Sequence, residues 1–216
     1  VSQGTSLGLN TGLKTTTFST IGAMANTGAF FQGTIDEVRV YRRVLTAPEV
    51  AALAQSTGGQ GMAARANASS KTLQQGTALA TGLTGHWTFD GSDVRWTSAT
   101  AGVAYDVSGN NRTGTMSGMN RATAPVMGKL GQAFRNDGTD DVVNINGILS
   151  NFITASTGTI TAWVKVTALP GGSGFAYVFA DGNVQMGIEV VTTGSTLDCY
   201  NFDGTFDEIT TPLTLN

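Results

Sequence analysis

The most constraining feature of this sequence is a series of short segments in which apolar and polar residues alternate. Residues 160–166 place four apolar side chains on one side and Thr161, Trp163 and Lys165 on the other. Segments around Trp87 and Val143 alternate in the same way, and turns rich in Gly, Asn and Asp separate them. Many short alternating strands joined by such turns predict an all-β fold, an antiparallel β-sandwich.

The composition supports strands and excludes some partners. Only 12% of the 216 residues are charged and 29 are Gly, a mixture poor in the residues that build helix surfaces. A net charge of −3 argues against a nucleic-acid partner, which requires a basic face. No apolar run approaches the roughly 20 residues that span a bilayer, so we expect no membrane insertion. The chain begins at Val1 without a signal peptide, and we expect a processed or excised segment.

Three stretches of the chain differ in texture. Residues 1–56 end in a strand followed by a capping box at residues 46–49, which predicts one short helix. Residues 57–82 contain few large apolar side chains and are predicted to be a flexible linker. Residues 83–216 contain all three tryptophans and most of the strand candidates.

The strand at residues 34–41 carries an acidic residue in an unusual place. Alternation predicts that Asp36, Val38 and Val40 share the side that faces the core. An unpaired carboxylate in an inward row is unfavourable, so Asp36 requires a cation or several hydrogen-bond donors.

Six sequence blocks together resemble one family. They are residues 33–50, 86–91, 105–110, 131–134, 137–145 and 160–165. The first resembles the closing strand and helix of laminin-G-like, concanavalin A-like jelly-roll domains, and the other five resemble the opening half of such domains. The resemblance implies a jelly-roll sandwich with one short helix after its closing strand. The family's C-terminal part therefore precedes its N-terminal part here.

Three arrangements explain this inverted order. Residues 1–56 finish one domain of a tandem array and 83–216 begin the next, or the two parts complete each other within the chain as a circular permutant. In the third arrangement, residues 1–56 complete the sandwich of a neighbouring molecule and produce head-to-tail polymers. The sequence leaves all three open.

A structural calcium ion is the first candidate ligand. Calcium requires several oxygen ligands, and Asp36, Asp90, Asp106 and Asn110 lie at predicted strand ends or turns. The resemblance implies that Asp36 and Asp90 meet at one rim, where similar families often place calcium. The alternative is that Asp106 and Asn110 cap their own turn and that Asp36 accepts backbone or Arg donors.

A second acidic group is less distinctive. Asp137, Asp140 and Asp141 are interpreted as turn residues, although three carboxylates so close together favour a cation over mutual repulsion.

The candidate ligand-binding residues are Trp163, Lys165 and Trp96. The first two point away from the predicted core, where an aromatic face can stack on a sugar ring, and Trp96 is predicted to lie in a loop. The alternative for Trp163 is packing against another sheet or a neighbouring domain.

No catalytic residue is predicted. Glycosidases of related fold require two carboxylates flanking a cleft, and the acidic pairs Asp36–Glu37 and Asp207–Glu208 are adjacent, which sends their members to opposite faces. His86, without a Ser or Cys motif around it, is interpreted as a strand-surface residue.

Together these observations predict a secreted or cell-surface, non-catalytic module for adhesion or carbohydrate binding in a bacterial surface protein. Its expected partners are a glycan or other surface ligand and copies of itself or flanking repeats. One alternative is a structural subunit of a head-to-tail filament assembled from complementary sandwich halves. A second is a domain related to glycoside hydrolases.

Overall fold

A computed structural model describes residues 18–24, 28–56, 78–146, 158–171, 174–181, 186–193, 195–202 and 206–213. These residues form fourteen strands, one α-helix and two short 3-10 helices. The strands are β1 Phe18–Ile21, β2 Gln32–Tyr41, β3 Leu83–Trp87, β4 Val94–Trp96, β5 Gly102–Ala104, β6 Gly114–Ser117, β7 Pro125–Met127, β8 Gln132–Asp137, β9 Val142–Asn146, β10 Thr159–Val166, β11 Phe175–Asp181, β12 Met186–Val191, β13 Thr196–Phe202 and β14 Phe206–Pro212. The helix, α1, is Ala47–Gln55.

The strands form two antiparallel sheets. The larger has nine strands in the order β14-β13-β12-β11-β1-β9-β6-β5-β4. The smaller has five, in the order β10-β2-β8-β7, with β3 also paired to β2. The main core lies between them and contains Val38, Trp87, Phe134, Val143 and Phe179, all at most 1% exposed. The predicted antiparallel sandwich is confirmed.

Strand β2 is the centre of the smaller sheet, and its register corrects one prediction. One edge of β2 pairs with β10, and the other pairs with β8 over Gln32–Ile35 and with β3 over Val38–Tyr41. A bulge falls where the partner changes, and Glu37 there has a φ of 55°. Because of this extra residue, Ile35 shares the core side with Val38 and Val40.

The prediction that Asp36 lies on the side of Val38 was therefore wrong. Asp36 is the register partner of Trp163, whereas Ile35 is the partner of the core residue Val164. The bulge interrupts the two-residue period on which the prediction depended. Asp36 consequently lies on the outer side of the smaller sheet, although it is only 2% exposed.

The helix begins as predicted and packs in a second, smaller core. Glu49 Oε2 accepts a hydrogen bond from the Thr46 amide at 2.8 Å, as in a capping box. Leu53 of α1 packs with Tyr41, Leu45, Leu79 and Leu83.

The predicted linker, residues 57–82, extends too far toward the C-terminus. Residues 57–77 lie outside the described part, but residues 78–82 contain the 3-10 helix Ala78–Ala80 and buried Leu79. Arg43 Nε donates to the Thr81 carbonyl at 2.6 Å. The prediction missed this packing because one leucine among small residues carries little apolar signal.

The two strands before the linker are paired only with strands that follow it. Among the described residues, β1 lies between β9 and β11, and β2 pairs with β3, β8 and β10. Neither pairs with the other. Within this one chain, residues 18–56 therefore depend on strands beyond residue 78 for all of their sheet hydrogen bonds.

Candidate functional site

The loop of residues 128–131, between β7 and β8, is held by two of the predicted site residues. Asp36 Oδ2 accepts hydrogen bonds from the amides of Lys129 and Leu130 at 2.7 and 3.0 Å. Asp90 Oδ1 accepts one from the Gln132 amide at 2.7 Å. Asp36 lies at the bulge of β2, between the stretch that pairs with β8 and the stretch that pairs with β3. The structure thus brings Asp36 and Asp90 to one loop.

Two glycines make these contacts possible. A β-carbon on Gly128 would lie 2.4 Å from Asp36 Oδ2, and one on Gly131 would lie 2.1 Å from Asp90 Oδ1. Gly131 also has a φ of 67°, a conformation that disfavours other residues. Both positions therefore require glycine for the carboxylates to reach the loop backbone.

The Asp36 carboxyl is only partly satisfied by these bonds. Its Oδ1 is buried and has no hydrogen-bond partner. Burial raises the pKa of Asp36 to about 7, the Leu130 and Lys129 amides act in the opposite direction, and the charges of Glu37 and Asp90 raise it further. A cation beside Oδ1 would remove this penalty, and the neighbouring Asp90 carboxyl is an oxygen ligand of the kind calcium prefers.

The same loop covers the predicted ligand-binding tryptophan. Trp163 is half-buried on the outer side of β10, and the Lys129 ammonium lies 4.8 Å from the centroid of its ring, a cation–π contact. Lys165 is exposed two residues further along the same side of β10. Lys129, which the sequence analysis did not single out, therefore occupies one face of the ring.

Asp106 and Asn110 form a separate arrangement. Asp106 Oδ1 accepts hydrogen bonds from the amides of His86 and Ser108, and its Oδ2 accepts from the Arg112 amide and the Ser108 hydroxyl. Asn110 Nδ2 donates to the Leu83 carbonyl at 3.0 Å. These two residues brace their turn against β3, and neither contacts the 128–131 loop through these bonds.

The prediction that Trp96 lies in a loop was wrong, because Trp96 is the last residue of strand β4. It packs against the main core, and its ring lies 5.9 Å from the ring of Phe134. Three-residue strands such as β4 are too short for alternation to reveal them.

His86 also lies in a different environment from the one predicted. The prediction of a strand-surface residue was wrong, because His86 is fully buried and its Nε2 lies 2.8 Å from Glu37 Oε2. Arg39 donates to the same Glu37 oxygen. Burial lowers the pKa of His86 to about 4, the Arg39 charge adds to this effect, and Glu37 opposes it. The cross-strand pairing of His86 with Arg39, which positions this cluster, is not readable from either strand alone.

A second polar cluster lies on the outer side of the larger sheet. Glu189 of β12 is the register partner of Asp198 of β13 and of Tyr177 of β11. These residues and Tyr200 are at most 6% exposed, and the two tyrosine rings lie edge to face at 6.2 Å. Alternation within β12 and β13 could have placed Glu189, Asp198 and Tyr200 on one side, but only the register shows that the two acids are neighbours.

The two antiparallel sheets form a β-sandwich with polar clusters on both outer faces. Residues 1–51 match the family described as the concanavalin A-like lectin/glucanases superfamily. The resemblance seen in the sequence is confirmed for that part of the chain, and at the level of the superfamily it supports a carbohydrate-binding type of module. No curated protein and no solved structure matches the chain at a significant level. Among the described residues, no helix is long and apolar enough to cross a bilayer.

Proposed function

We propose that this protein is an extracellular, non-catalytic carbohydrate-binding module that acts in adhesion at a bacterial cell surface. The single observation that carries the proposal is the half-buried Trp163 on the outer side of the smaller sheet, beside a loop fixed by Asp36 and Asp90. A rigidly backed indole can stack on a sugar ring. The Lys129 ammonium and Lys165 add donors for the carboxylate groups of an acidic glycan.

A glycan array tests this proposal. We expect Trp163→Ala to abolish the glycan response, because it removes the stacking surface. Lys129→Ala uncovers one face of the ring and is expected to preserve or strengthen binding of neutral sugars. Tyr105, 40% exposed, provides a matched control, since Tyr105→Ala removes an exposed aromatic ring elsewhere. A response unchanged by Trp163→Ala, or lost equally in both aromatic variants, contradicts the assignment.

Calcium binding at the Asp36–Asp90 rim is part of this proposal. The buried, unpartnered Asp36 Oδ1 supports it, together with the burial of the carboxyl group and the weaker effect of the Asp90 charge, both of which raise the Asp36 pKa. A rim calcium would hold the 128–131 loop and thereby Lys129 over Trp163. The melting temperature in calcium and in EDTA tests this, and a loss of the calcium response in Asp36→Asn is the expected result.

A filament subunit is the second candidate. It is favoured by the observation that, in the part of the chain that the structure describes, β1 and β2 pair only with strands beyond residue 78, since the same hydrogen bonds can form between copies. Light scattering after refolding at low and high protein concentration distinguishes the two. Concentration-dependent multimers without a glycan response favour the filament, and a compact monomer at all concentrations contradicts it.

A glycoside hydrolase is a third candidate, favoured by the Glu189–Asp198 pair. Side chains of directly paired strand residues lie roughly 5 Å apart, comparable to the carboxylate separation in retaining glycosidases. The pair is only 5% and 3% exposed, which argues against access by a polysaccharide. Cleavage of a glycan that disappears in Glu189→Gln would favour the enzyme over the binding module.

A further inference from the structure

The turn between β8 and β9 gathers three carboxyl groups away from the 128–131 loop. One carboxylate oxygen from each of Asp137, Asp140 and Asp141 lies within 4.8 Å of the others. Asp137 and Asp140 are exposed, whereas Asp141 is only 3% exposed. Three like charges at this separation repel one another. Some other interaction must therefore offset the repulsion between these carboxylates.

The backbone of the turn holds the carboxyl groups in place. Asp141 Oδ2 accepts a hydrogen bond from the Asp137 amide at 2.7 Å, and Asp137 Oδ1 accepts one from the Thr139 amide at 2.8 Å. The Asp140 carbonyl oxygen lies 2.1 Å from the position that a β-carbon on Gly118 would occupy. This close approach restrains the backbone of the turn at Asp140.

A buried oxygen without a partner is the independent observation. Asp141 is only 3% exposed, and its Oδ1 is buried and has no hydrogen-bond partner. The amide oxygen of Asn136 is likewise buried and unpartnered. Asn136 Oδ1 and the Asp141 carbonyl oxygen both lie close to Gly22, at 2.6 and 3.2 Å from its β-carbon position.

Asp141 is buried beside two further carboxyl groups. An ionised carboxylate that is buried without a counter-charge is strongly unfavourable. A bound cation offsets the repulsion and provides a partner for the remaining Asp141 oxygen.

We propose that Asp137, Asp140 and Asp141 bind a calcium ion at the β8–β9 turn, a site that shares no residue with the rim. All three ligands are oxygens, which hard cations prefer. Oxygen atoms that lie within 4.8 Å of one another are close enough to share one cation after small adjustments. Magnesium demands near-ideal octahedral geometry and loses its water ligands reluctantly, so three carboxylates on one turn suit calcium better.

Substitution of the exposed Asp140 tests the site, because its effect on the melting temperature is expected to have opposite signs in EDTA and in calcium. In EDTA, Asp140→Asn is expected to raise the melting temperature slightly, because one repelling charge is removed. At calcium concentrations about tenfold above a dissociation constant in the millimolar range, the wild-type melting temperature is expected to rise by about 4 °C. Asp140→Asn loses most of that rise and becomes the less stable protein. Thr139→Ala, which alters the same turn but keeps every carboxylate, is expected to retain the rise.

Calorimetric titration separates this site from the rim. Asp137→Asn combined with Asp140→Asn is expected to lose about one equivalent of calcium relative to the wild type, while Asp36→Asn keeps the equivalent bound at the turn. A calcium-induced rise in melting temperature that is equal in the wild type and in Asp140→Asn overturns the proposal. So does an Asp140→Asn variant that is more stable than the wild type in both EDTA and calcium, or a magnesium response equal to that of calcium.

Discussion

Replacement of Asp36 by Asn tests the electrostatics of the rim most directly. In the unfolded chain this carboxyl loses its proton near its ordinary pKa of 3.8, whereas in the folded protein burial raises the pKa to about 7. The folded state therefore binds more protons between these pH values, and its stability decreases as the pH rises through that interval. Above about pH 7 the full penalty is present, and it is absent below about pH 4.

The difference between the two pKa values corresponds to about 4 kcal/mol. At about pH 5 the folded Asp36 is neutral but the unfolded one is already ionised, so about 1.6 kcal/mol of the penalty is present. Because Asn can accept the same amide hydrogen bonds, the two proteins should differ there by about 2 kcal/mol or less. At about pH 8, in EDTA, Asp36→Asn should be the more stable protein, by up to about 4 kcal/mol or about 10 °C in melting temperature.

Urea unfolding of both proteins at the two pH values measures this change, because other titrating groups contribute equally to each. Val38→Ala is the matched control: it removes apolar contacts from the same strand at a cost of about 2–3 kcal/mol, which should not change with pH. A stability difference between the wild type and Asp36→Asn that is equal at both pH values refutes the raised pKa. In calcium the order at high pH should reverse if the rim binds the cation.

Three further predictions concern packing and protonation. Gly131→Ala should destabilise the fold by more than about 2 kcal/mol in urea unfolding, because its β-carbon meets Asp90, whereas Gly109→Ala, with φ of 91° but no atom within 4 Å, should show only the backbone penalty of about 1 kcal/mol. The pKa of His86, about 4 when folded and 6.5 otherwise, means that the wild type should lose stability relative to His86→Gln as the pH falls from about 6.5 to 4; parallel stability profiles would contradict this. Arg43→Met should lower the melting temperature by about 2–4 °C, because it removes the paired hydrogen bonds to Glu49 that hold α1, and an unchanged value would show that this partly buried pair contributes nothing.

The sequence predicted the elements that local rules determine. Alternation identified β10, whose apolar residues pack on the core while Trp163 and Lys165 face outward. The helix start at residues 46–49 was also correct, because a capping box is a local arrangement of hydrogen bonds. Both predictions depend only on neighbours within a few residues.

Predictions failed where the backbone departs from a regular period. The bulge of β2 reversed the side assigned to Asp36, and no residue near Glu37 is a glycine that would have signalled a positive φ. His86 was misplaced because its burial depends on Glu37 and Arg39 of another strand, 49 residues away in the case of Glu37. Such contacts follow from sheet register, which one sequence without its pairing does not specify.

The candidate site was predictable in its residues more than in its grouping. Asp36 and Asp90 were chosen as oxygen-rich side chains at strand ends, and both contact the 128–131 loop. Asp106 satisfied the same criterion, yet it lies in a different turn. Lys129 was not predicted, because its approach to Trp163 depends on the loop that Asp36 holds.

Three acidic side chains, Asp36, Asp106 and Asp141, are held by the same kind of contact. Within a regular strand the backbone amides are used by the sheet, so an acidic side chain can accept hydrogen bonds from them only where the ladder is interrupted, at a bulge or a turn. Asp36, Asp106 and Asp141 all accept backbone amides at such places, and this contact explains their positions without any ligand. What distinguishes them is the oxygen that remains. Both oxygens of Asp106 accept hydrogen bonds, whereas Asp36 and Asp141 each keep one that is buried and unpartnered. Calcium should therefore stabilise the protein through Asp36 and Asp141. The calcium-induced rise in melting temperature should not change when Asp106 is substituted, provided that the turn of Asp106 stays folded.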